Sequence, residues 1–320
     1  MQSTPGSRRG NIASQTGRRW HIAALGAALA VVLVIVAAML TRGPRPSLGL
    51  TVRSVSVTSV AFRPDGKIIA GAGDDGFTYL WKTATGKWIT TLREPRDSSV
   101  NSIAFSPDGK ILAAGDGNGF TSLWSIVTGK RITTLRDPGR QAYVNSVVFS
   151  PDGKILVTGD NNGLTNLWNT ATGKRIATLP GPGRAAIVSS VAFSPAGKVL
   201  AVGDGRDGST YLWSTATGKR IATLPGLQNG VVNSVAFSPD GKTLAVIESI
   251  GDDNGNGTAY LWSIATHKQV ATLADPLGYD ILSVAFSPDG KILATGDDLA
   301  ADLPTNTPAR TYLWDVSWLP

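Results

Sequence analysis

The sequence predicts an all-β protein, a six-bladed β-propeller preceded by one N-terminal transmembrane helix. One unit of about 43 to 52 residues recurs six times between residue 57 and the C-terminus. A period in this range with several short strands per unit is typical of propeller blades. The units align on a phenylalanine and on a Leu-Trp pair: Phe62, Phe105, Phe149, Phe193, Phe237 and Phe286, with Trp81, Trp124, Trp168, Trp213, Trp262 and Trp314.

Each unit is predicted to form four strands joined by short turns. The first strand has the form V-N-S-V-A-F and leads into a Ser-Pro-Asp-Gly turn, in which proline fixes φ and glycine accepts the left-handed conformation. The second strand is a short apolar run, as expected of a strand buried on both faces. A Gly/Asp/Asn turn precedes the third strand, which ends in Leu-Trp. A Thr-Gly-Lys turn then leads into the fourth strand.

These motifs resemble the WD40 family over roughly residues 48–316. The resemblance rests on the repeated SPDGK turn, the Gly-Asp pair before the third strand and the Leu-Trp pair. It implies the propeller fold, which hosts many functions. Two features differ from the family pattern: the Gly-His dipeptide is absent, and only Asp315 follows its tryptophan as an aspartate. A histidine-centred hydrogen-bond network is therefore not expected, and we expect blade rigidity to rest on apolar packing.

The propeller domain is predicted to span residues 48–320 and to be closed by its own N-terminal end. The last unit stops after its third strand, at Val316. Residues 48–54, LGLTVRS, precede the first unit at the place of a fourth strand. We expect this segment to complete the last blade, which would leave no open edge strand. One closed ring predicts a monomeric propeller.

The N-terminal region divides into a basic tail at 1–21, an apolar segment at 22–40 and a short linker at 41–47. The tail is polar and is predicted to be disordered. The apolar segment has no charged residue and is long enough to span a bilayer as a helix. A cleaved signal peptide is the alternative, with Val36-Ala37-Ala38 as its small-residue site, although the apolar run exceeds the usual ~7–15 residues.

Charge bias around the apolar segment predicts the orientation of the protein. Four arginines precede the segment and three follow it before residue 54, which favours a cytoplasmic N-terminus. The chain is then a single-pass plasma-membrane protein with an extracytoplasmic propeller, as in a bacterial-type cell. The absence of cysteine is compatible with either side of the membrane.

The net charge of +7 belongs to the N-terminal tail. Residues 1–53 contain seven arginines and no acidic residue, whereas the rest of the chain has 23 basic and 23 acidic residues. The propeller as a whole is therefore neutral. This balance predicts no nucleic-acid partner.

The inventory of reactive side chains is small. There is no cysteine, and His21 and His267 are the only histidines, so the sequence predicts no catalytic residue, no cofactor and no histidine or cysteine metal site. Asp252, Asn254 and Asn256 have the spacing that opens a calcium loop, but Ser263 stands where the bidentate glutamate is expected. An enlarged polar turn is the alternative interpretation of this segment.

The tryptophans are predicted to be packing residues. Six of the nine recur at one position of the unit and are expected between blades. Trp88 and Trp318 lie outside that register; a surface role is possible for both, but packing is the expectation.

Comparison among the six units predicts where a partner binds. The SPDGK and Thr-Gly-Lys turns barely vary and lie at one end of the ring, whereas the connections between units differ and lie at the opposite end. Variable loops on a rigid scaffold commonly carry binding specificity. The candidate protein-binding residues are Arg140, Tyr143, Arg184 and Tyr279, since Arg and Tyr are frequent interface anchors. A small-ligand or glycan sensor using the central channel is the alternative, and a propeller enzyme is a weaker one.

Overall fold

The computed structural model describes residue 50 and residues 56–95, 98–139, 142–181, 186–226, 230–250, 257–275, 280–297 and 311–319. These residues form six antiparallel sheets in chain order, of which five have four strands and the last has three. The innermost strands of all six sheets surround one central cavity. The predicted all-β propeller with six blades is therefore confirmed.

The first three blades are regular four-stranded meanders. Blade 1 consists of β1 (Val57–Phe62), β2 (Ile68–Gly73), β3 (Phe77–Lys82) and β4 (Trp88–Arg93). Blade 2 consists of β5 (Val100–Phe105), β6 (Ile111–Asp116), β7 (Phe120–Ser125) and β8 (Arg131–Arg136). Blade 3 consists of β9 (Val144–Phe149), β10 (Ile155–Asp160), β11 (Thr165–Asn169) and β12 (Arg175–Leu179).

The last three blades repeat this order. Blade 4 consists of β13 (Val188–Phe193), β14 (Val199–Asp204), β15 (Thr210–Ser214) and β16 (Arg220–Leu224). Blade 5 consists of β17 (Gly230–Phe237), β18 (Thr243–Ile250), β19 (Thr258–Ser263) and β20 (Gln269–Ala274). Blade 6 contains β21 (Ile281–Phe286), β22 (Ile292–Asp297) and β23 (Thr311–Asp315).

The Ser-Pro-Asp-Gly turns are held by their own side chains. In blade 2, the Ser106 hydroxyl donates to Asp108 Oδ1 (2.7 Å) and accepts the N–H of Ile111 (3.0 Å). Gly109 has φ 68°, a conformation that glycine adopts without strain. The turns of blades 2 to 6 also pack on the turn of the preceding blade, since a Cβ at Gly109, Gly153, Gly197, Gly241 or Gly290 would contact its proline.

The propeller has two different faces. The first-to-second-strand turns of all six blades and the third-to-fourth-strand turns of the five four-stranded blades lie at one end, which we call the turn face. The second-to-third-strand turns and the connections between blades lie at the opposite end, which we call the loop face. The outermost strand of each complete blade runs from the turn face to the loop face.

Apolar layers between neighbouring blades form the core. The tryptophan of one blade packs against the leucine before the tryptophan of the preceding blade; Trp168, for example, shares a cluster with Leu123. Trp168 is 5% exposed, as predicted for a residue between two blades. The expectation for Trp88 and Trp318 is wrong: their side chains are 58% and 57% exposed. Both lie at the turn face, where no neighbouring blade covers them.

Polar bonds cross from each innermost strand to the next. Asn101 Nδ2 donates to the Val144 carbonyl (3.1 Å), and Asn145 Nδ2 donates to the Val188 carbonyl (3.0 Å). One residue further along, Ser102 Oγ accepts the N–H of Val147 (3.1 Å). Thr58, Ser189 and Asn233 donate in the same way to the next blade. Five junctions therefore share one bonding pattern.

The junction between blades 6 and 1 differs in its side chains. Leu282 occupies the donor position and is 48% exposed. A Cβ placed on Gly66 in blade 1 would have no other atom within 4 Å, whereas a Cβ at the corresponding glycine of every other blade would contact a proline. The predicted closing strand 48–54 lies outside the described residues apart from residue 50. The predicted transmembrane segment 22–40 also lies outside them, and no helix in the described part is long and apolar enough to cross a bilayer.

Candidate partner-binding face and the carboxylates beneath it

Backbone hydrogen bonds fix the ends of the connections between blades. At the start of three connections, the residue after the outermost strand bonds to a turn glycine of its own blade: the N–H groups of Glu94, Asp137 and Asp275 donate to the carbonyls of Gly76 (2.9 Å), Gly119 (2.9 Å) and Gly257 (3.3 Å). At the return, the Ser99 carbonyl accepts the N–H of Gly117 (3.0 Å), and the Ile187 carbonyl accepts that of Gly205 (2.8 Å). The loop face therefore presents variable segments from rigid attachment points.

Tyr143 is the one predicted binding residue that the structure describes. Its backbone is bonded twice to Asn161 in the next turn: its N–H donates to Asn161 Oδ1 (2.7 Å), and its carbonyl accepts the Asn161 N–H (3.1 Å). Its side chain is 48% exposed. This clamped backbone and exposed ring suit an interface anchor. Arg140, Arg184 and Tyr279 lie outside the described residues, so their proximity to Tyr143 stays a prediction.

A buried glutamate links blade 1 to blade 2 beneath the loop face. Glu94 follows β4 and is 1% exposed. Its Oε2 accepts the Ser122 hydroxyl (2.5 Å), and its Oε1 accepts the Trp124 indole N–H (3.1 Å). Both donors belong to β7, so this carboxylate fixes the exit of one blade to the third strand of the next.

A buried aspartate makes the same link between blades 2 and 3. Asp137 Oδ1 accepts the Thr158 hydroxyl (2.9 Å) and the Asn166 side-chain N–H (3.0 Å). Thr158 Oγ1 in turn accepts the Trp168 indole N–H (3.0 Å). The carboxylate is thereby connected to the core tryptophan through one hydroxyl.

Blades 4 and 5 fill the equivalent space with an aromatic ring. Tyr211 occupies the position of Ser122 and Asn166, and its hydroxyl donates to Asp207 Oδ2 (2.9 Å). The residue that would carry the acid is then a glycine, Gly181, where a Cβ would lie 2.6 Å from the Gly163 carbonyl oxygen. Blade 5 has the same combination, with Tyr260 and Gly226. Acid with a small polar partner and glycine with tyrosine thus each occur at two junctions, whereas the junction of blades 5 and 6 combines an acid, Asp275, with a tyrosine, Tyr312.

These networks add polar links to the apolar packing that the sequence predicts for blade rigidity. Without the family's histidine, blades 2 and 3 join their tryptophans to the preceding blade through carboxylates. Sequence reasoning missed Glu94 and Asp137. An acidic residue followed by proline directly after the outermost strand recurs at Glu94, Asp137 and Asp275, and this signal could have identified them.

Burial shifts the proton affinity of these carboxyl groups. Desolvation raises the pKa of Asp137 to about 7, with a further contribution from the nearby charge of Asp160. Desolvation also raises the pKa of Glu94, although the hydrogen bonds from Ser122 and Trp124 oppose it. Because burial within a structural hydrogen-bond network explains each raised pKa, neither group indicates a catalytic acid.

The central cavity has about 310 Å³ and an uncharged lining. One serine per blade lines it: Ser59, Ser102, Ser146, Ser190, Ser234 and Ser283. Apolar side chains of the innermost strands, the turn prolines Pro107 and Pro195, and residues of β22 and β23 form the rest of the wall. Gly296 and Thr311, at the loop-face ends of β22 and β23, also line the cavity, so it extends from the turn prolines toward the loop face.

Within the described ranges, no three His, Cys, Asp or Glu side chains are grouped so that they could hold a metal ion. The possible calcium ligands Asp252, Asn254 and Asn256 lie outside those ranges.

Comparison with known families agrees with the repeat. The family model described as "WD domain, G-beta repeat" matches residues 49–82, 86–125, 129–169, 173–214, 218–263 and 267–300. The second to fifth matches each contain an outermost strand followed by the first three strands of the next blade, and the last contains β20 followed by the first two strands of blade 6. No curated protein sequence matches the chain significantly.

Proposed function

We propose that this chain, which belongs to the WD40 family, is a non-catalytic protein-binding scaffold anchored in the plasma membrane, with its propeller outside the cytoplasm. WD40 repeats generally mediate protein interaction or scaffolding. The observation that carries the proposal is the contrast between the two faces. Nearly identical turns occupy one face, while the connections on the other face differ in sequence and are held at their ends by backbone hydrogen bonds.

The charge of the loop face indicates the chemistry of the partner. Its described residues include twelve Asp or Glu and three arginines, Arg93, Arg136 and Arg206. Several of the acids are buried, but Asp74 and Asp207 are exposed. A protein surface with exposed basic residues would complement this face.

Membrane anchoring is proposed from residues 22–40 alone. The segment has 19 residues without a charge, and arginines flank it on both sides. Protease added to intact spheroplasts should remove the propeller. Survival of the propeller would contradict the proposed orientation, and a mature N-terminus near residue 39 would contradict the anchor.

Binding is tested by cross-linking the full chain in its native membrane and identifying the captured protein. A variant with alanine at Arg140, Tyr143, Arg184 and Tyr279 should lose the cross-linked partner and keep its melting temperature. A matched variant with glutamine at Lys110, Lys154 and Lys242, on the turn face, should retain the partner. The reverse result would place the binding site on the turn face.

A further inference from the structure

The neutral total charge of the propeller conceals a strongly basic turn face. Its turns occupy residues 63–67, 106–110, 150–154, 194–198, 238–242 and 287–291, then 82–88, 125–131, 169–175, 214–220 and 263–269, with 315–318 at the C-terminus. These segments contain sixteen Lys or Arg and six Asp, a formal charge of +10. All but Arg63 of the basic residues are exposed.

The third-to-fourth-strand turns carry most of this excess. The five turns at 82–88, 125–131, 169–175, 214–220 and 263–269 hold nine Lys or Arg and no acidic residue. By contrast, the Ser-Pro-Asp-Gly turns partly neutralise themselves, as in the Lys110–Asp108 pair (3.4 Å) and the Lys154–Asp152 pair (3.8 Å). The charge is therefore strongest around the perimeter of the turn face.

Exposed apolar side chains lie among these charges. Val127 in the blade 2 turn is 81% exposed, and Trp88 and Trp318 are more than half exposed. The second residue of every outermost strand, close to the same turns, is also exposed and β-branched: Ile89, Ile132, Ile176, Ile221 and Val270. Eight of the twelve large hydrophobic side chains that are exposed in the described part of the chain thus belong to this perimeter.

We propose that the turn face docks on an anionic lipid surface. Lysine charges attract acidic headgroups, while tryptophan and short aliphatic side chains enter the boundary between headgroups and acyl chains. A nucleic acid would also attract the lysines, but its phosphate backbone offers nothing to the exposed valine and isoleucine side chains between them. The mixture of charge and apolar side chains therefore favours lipid.

This inference rests on the proposed membrane anchor, which would hold the propeller near the bilayer, and it adds an orientation. With the turn face on the lipid, the loop face points away from the membrane and toward a soluble partner. The acidic loop face would be repelled by the same headgroups, so the two faces act together to select one orientation.

The absence of cysteine permits a clean test with a single fluorescent probe. The full chain with Val127→Cys, labelled with an environment-sensitive dye, is placed in nanodiscs of phosphatidylcholine alone or with phosphatidylglycerol. We expect the dye to be shielded from iodide only in the anionic discs. We also expect about 1 M salt to abolish the shielding, because at that ionic strength charges are screened within ~3 Å. The matched loop-face probe, Tyr143→Cys, should stay accessible in all discs.

A charge variant separates the lipid interaction from other causes. Glutamine at Lys87, Lys130, Lys174, Lys219 and Lys268, all exposed, should abolish the shielding at position 127 and leave the melting temperature unchanged. Equal access to the dye in both kinds of disc would overturn the proposal. So would retained shielding in the glutamine variant, or a lysine-dependent interaction with duplex DNA or RNA and none with lipid.

Failure of the anchor is recognised separately. A chain that does not enter phosphatidylcholine discs refutes the anchor at residues 22–40. Docking is then measured by flotation of the same chain with phosphatidylglycerol vesicles. The wild type should float and the five-glutamine variant should not. Equal behaviour of the two proteins would refute docking.

Discussion

Replacing Asp137 by asparagine should change how the stability of the protein depends on pH. The carboxyl group has a pKa of about 7 in the folded protein, against an ordinary value of 3.8, because burial disfavours its charge. Between about pH 4 and pH 7 the folded state therefore keeps a proton that the unfolded state releases. Stability contributed by this group is complete at low pH and is lost as the pH rises toward 7.

The size of the effect follows from that pKa difference. One pKa unit corresponds to about 1.4 kcal/mol, so the interval from 3.8 to about 7 sets an upper limit of about 4 kcal/mol. Asparagine keeps an acceptor oxygen for Thr158 and Asn166 and carries no charge at any pH. The variant should match wild type only below about pH 4, exceed it by about 1–2 kcal/mol at pH 5, and exceed it by up to about 4 kcal/mol at pH 8.

The assay is urea unfolding of the full chain in mild detergent at several pH values, followed by tryptophan fluorescence. Asp289→Asn is the control, since the Ser287 hydroxyl holds the pKa of Asp289 below its ordinary value. That group is ionised in both states from pH 5 to 8, so its replacement should not alter the pH slope. An Asp137→Asn slope equal to that of wild type would refute the assignment of a buried, protonated carboxyl group.

Three further predictions address the scaffold, each measured as a change in unfolding free energy or melting temperature. Trp168→Ala should cost about 3–5 kcal/mol because the side chain is 5% exposed; a loss below about 1 kcal/mol would contradict its place in the core. Asn145→Leu copies Leu282 and removes the donor to the Val188 carbonyl, so it should cost about 1–3 kcal/mol, whereas Asn162→Leu, at an exposed turn position, should cost less. If residues 48–54 close the ring, a chain that starts at Thr58 should have a much lower melting temperature than one that starts at residue 47. The family matches support this closure: the first begins at residue 49, and the other matches begin with an outermost strand. Equal melting temperatures would contradict it.

The blades were predictable because their determinants are local and repeated. Each Ser-Pro-Asp-Gly turn closes a hairpin through bonds within five residues, as Ser106, Asp108 and Ile111 show. The Leu-Trp pair marks a buried strand in five units and a half-buried one in the sixth. Such features recur at a fixed spacing, so comparison of the units reveals them without knowledge of the fold.

The polar links and the surface chemistry depended on distant residues. Glu94 meets Ser122 and Trp124 across 28 and 30 positions of the chain, and nothing in a loop sequence distinguishes a buried acid from a solvated one. Trp88 was expected to pack because aromatic residues usually do, but the outermost strand begins at the rim and has no neighbour there. The charge balance was correct for the whole domain, while its division between two faces required the strand directions.

The bonds between innermost strands have a consequence for how such a protein can change in length. At four successive junctions, the serine at the equivalent position of one blade accepts an N–H from the next blade, and donor and acceptor are 44 or 45 residues apart. A duplicated unit inserted between blades 2 and 3 would meet compatible groups on both sides. Unequal recombination within the gene could therefore add or remove a whole blade without a mismatched contact between innermost strands, and any mismatch would arise at the junction-specific side chains beneath the loop face.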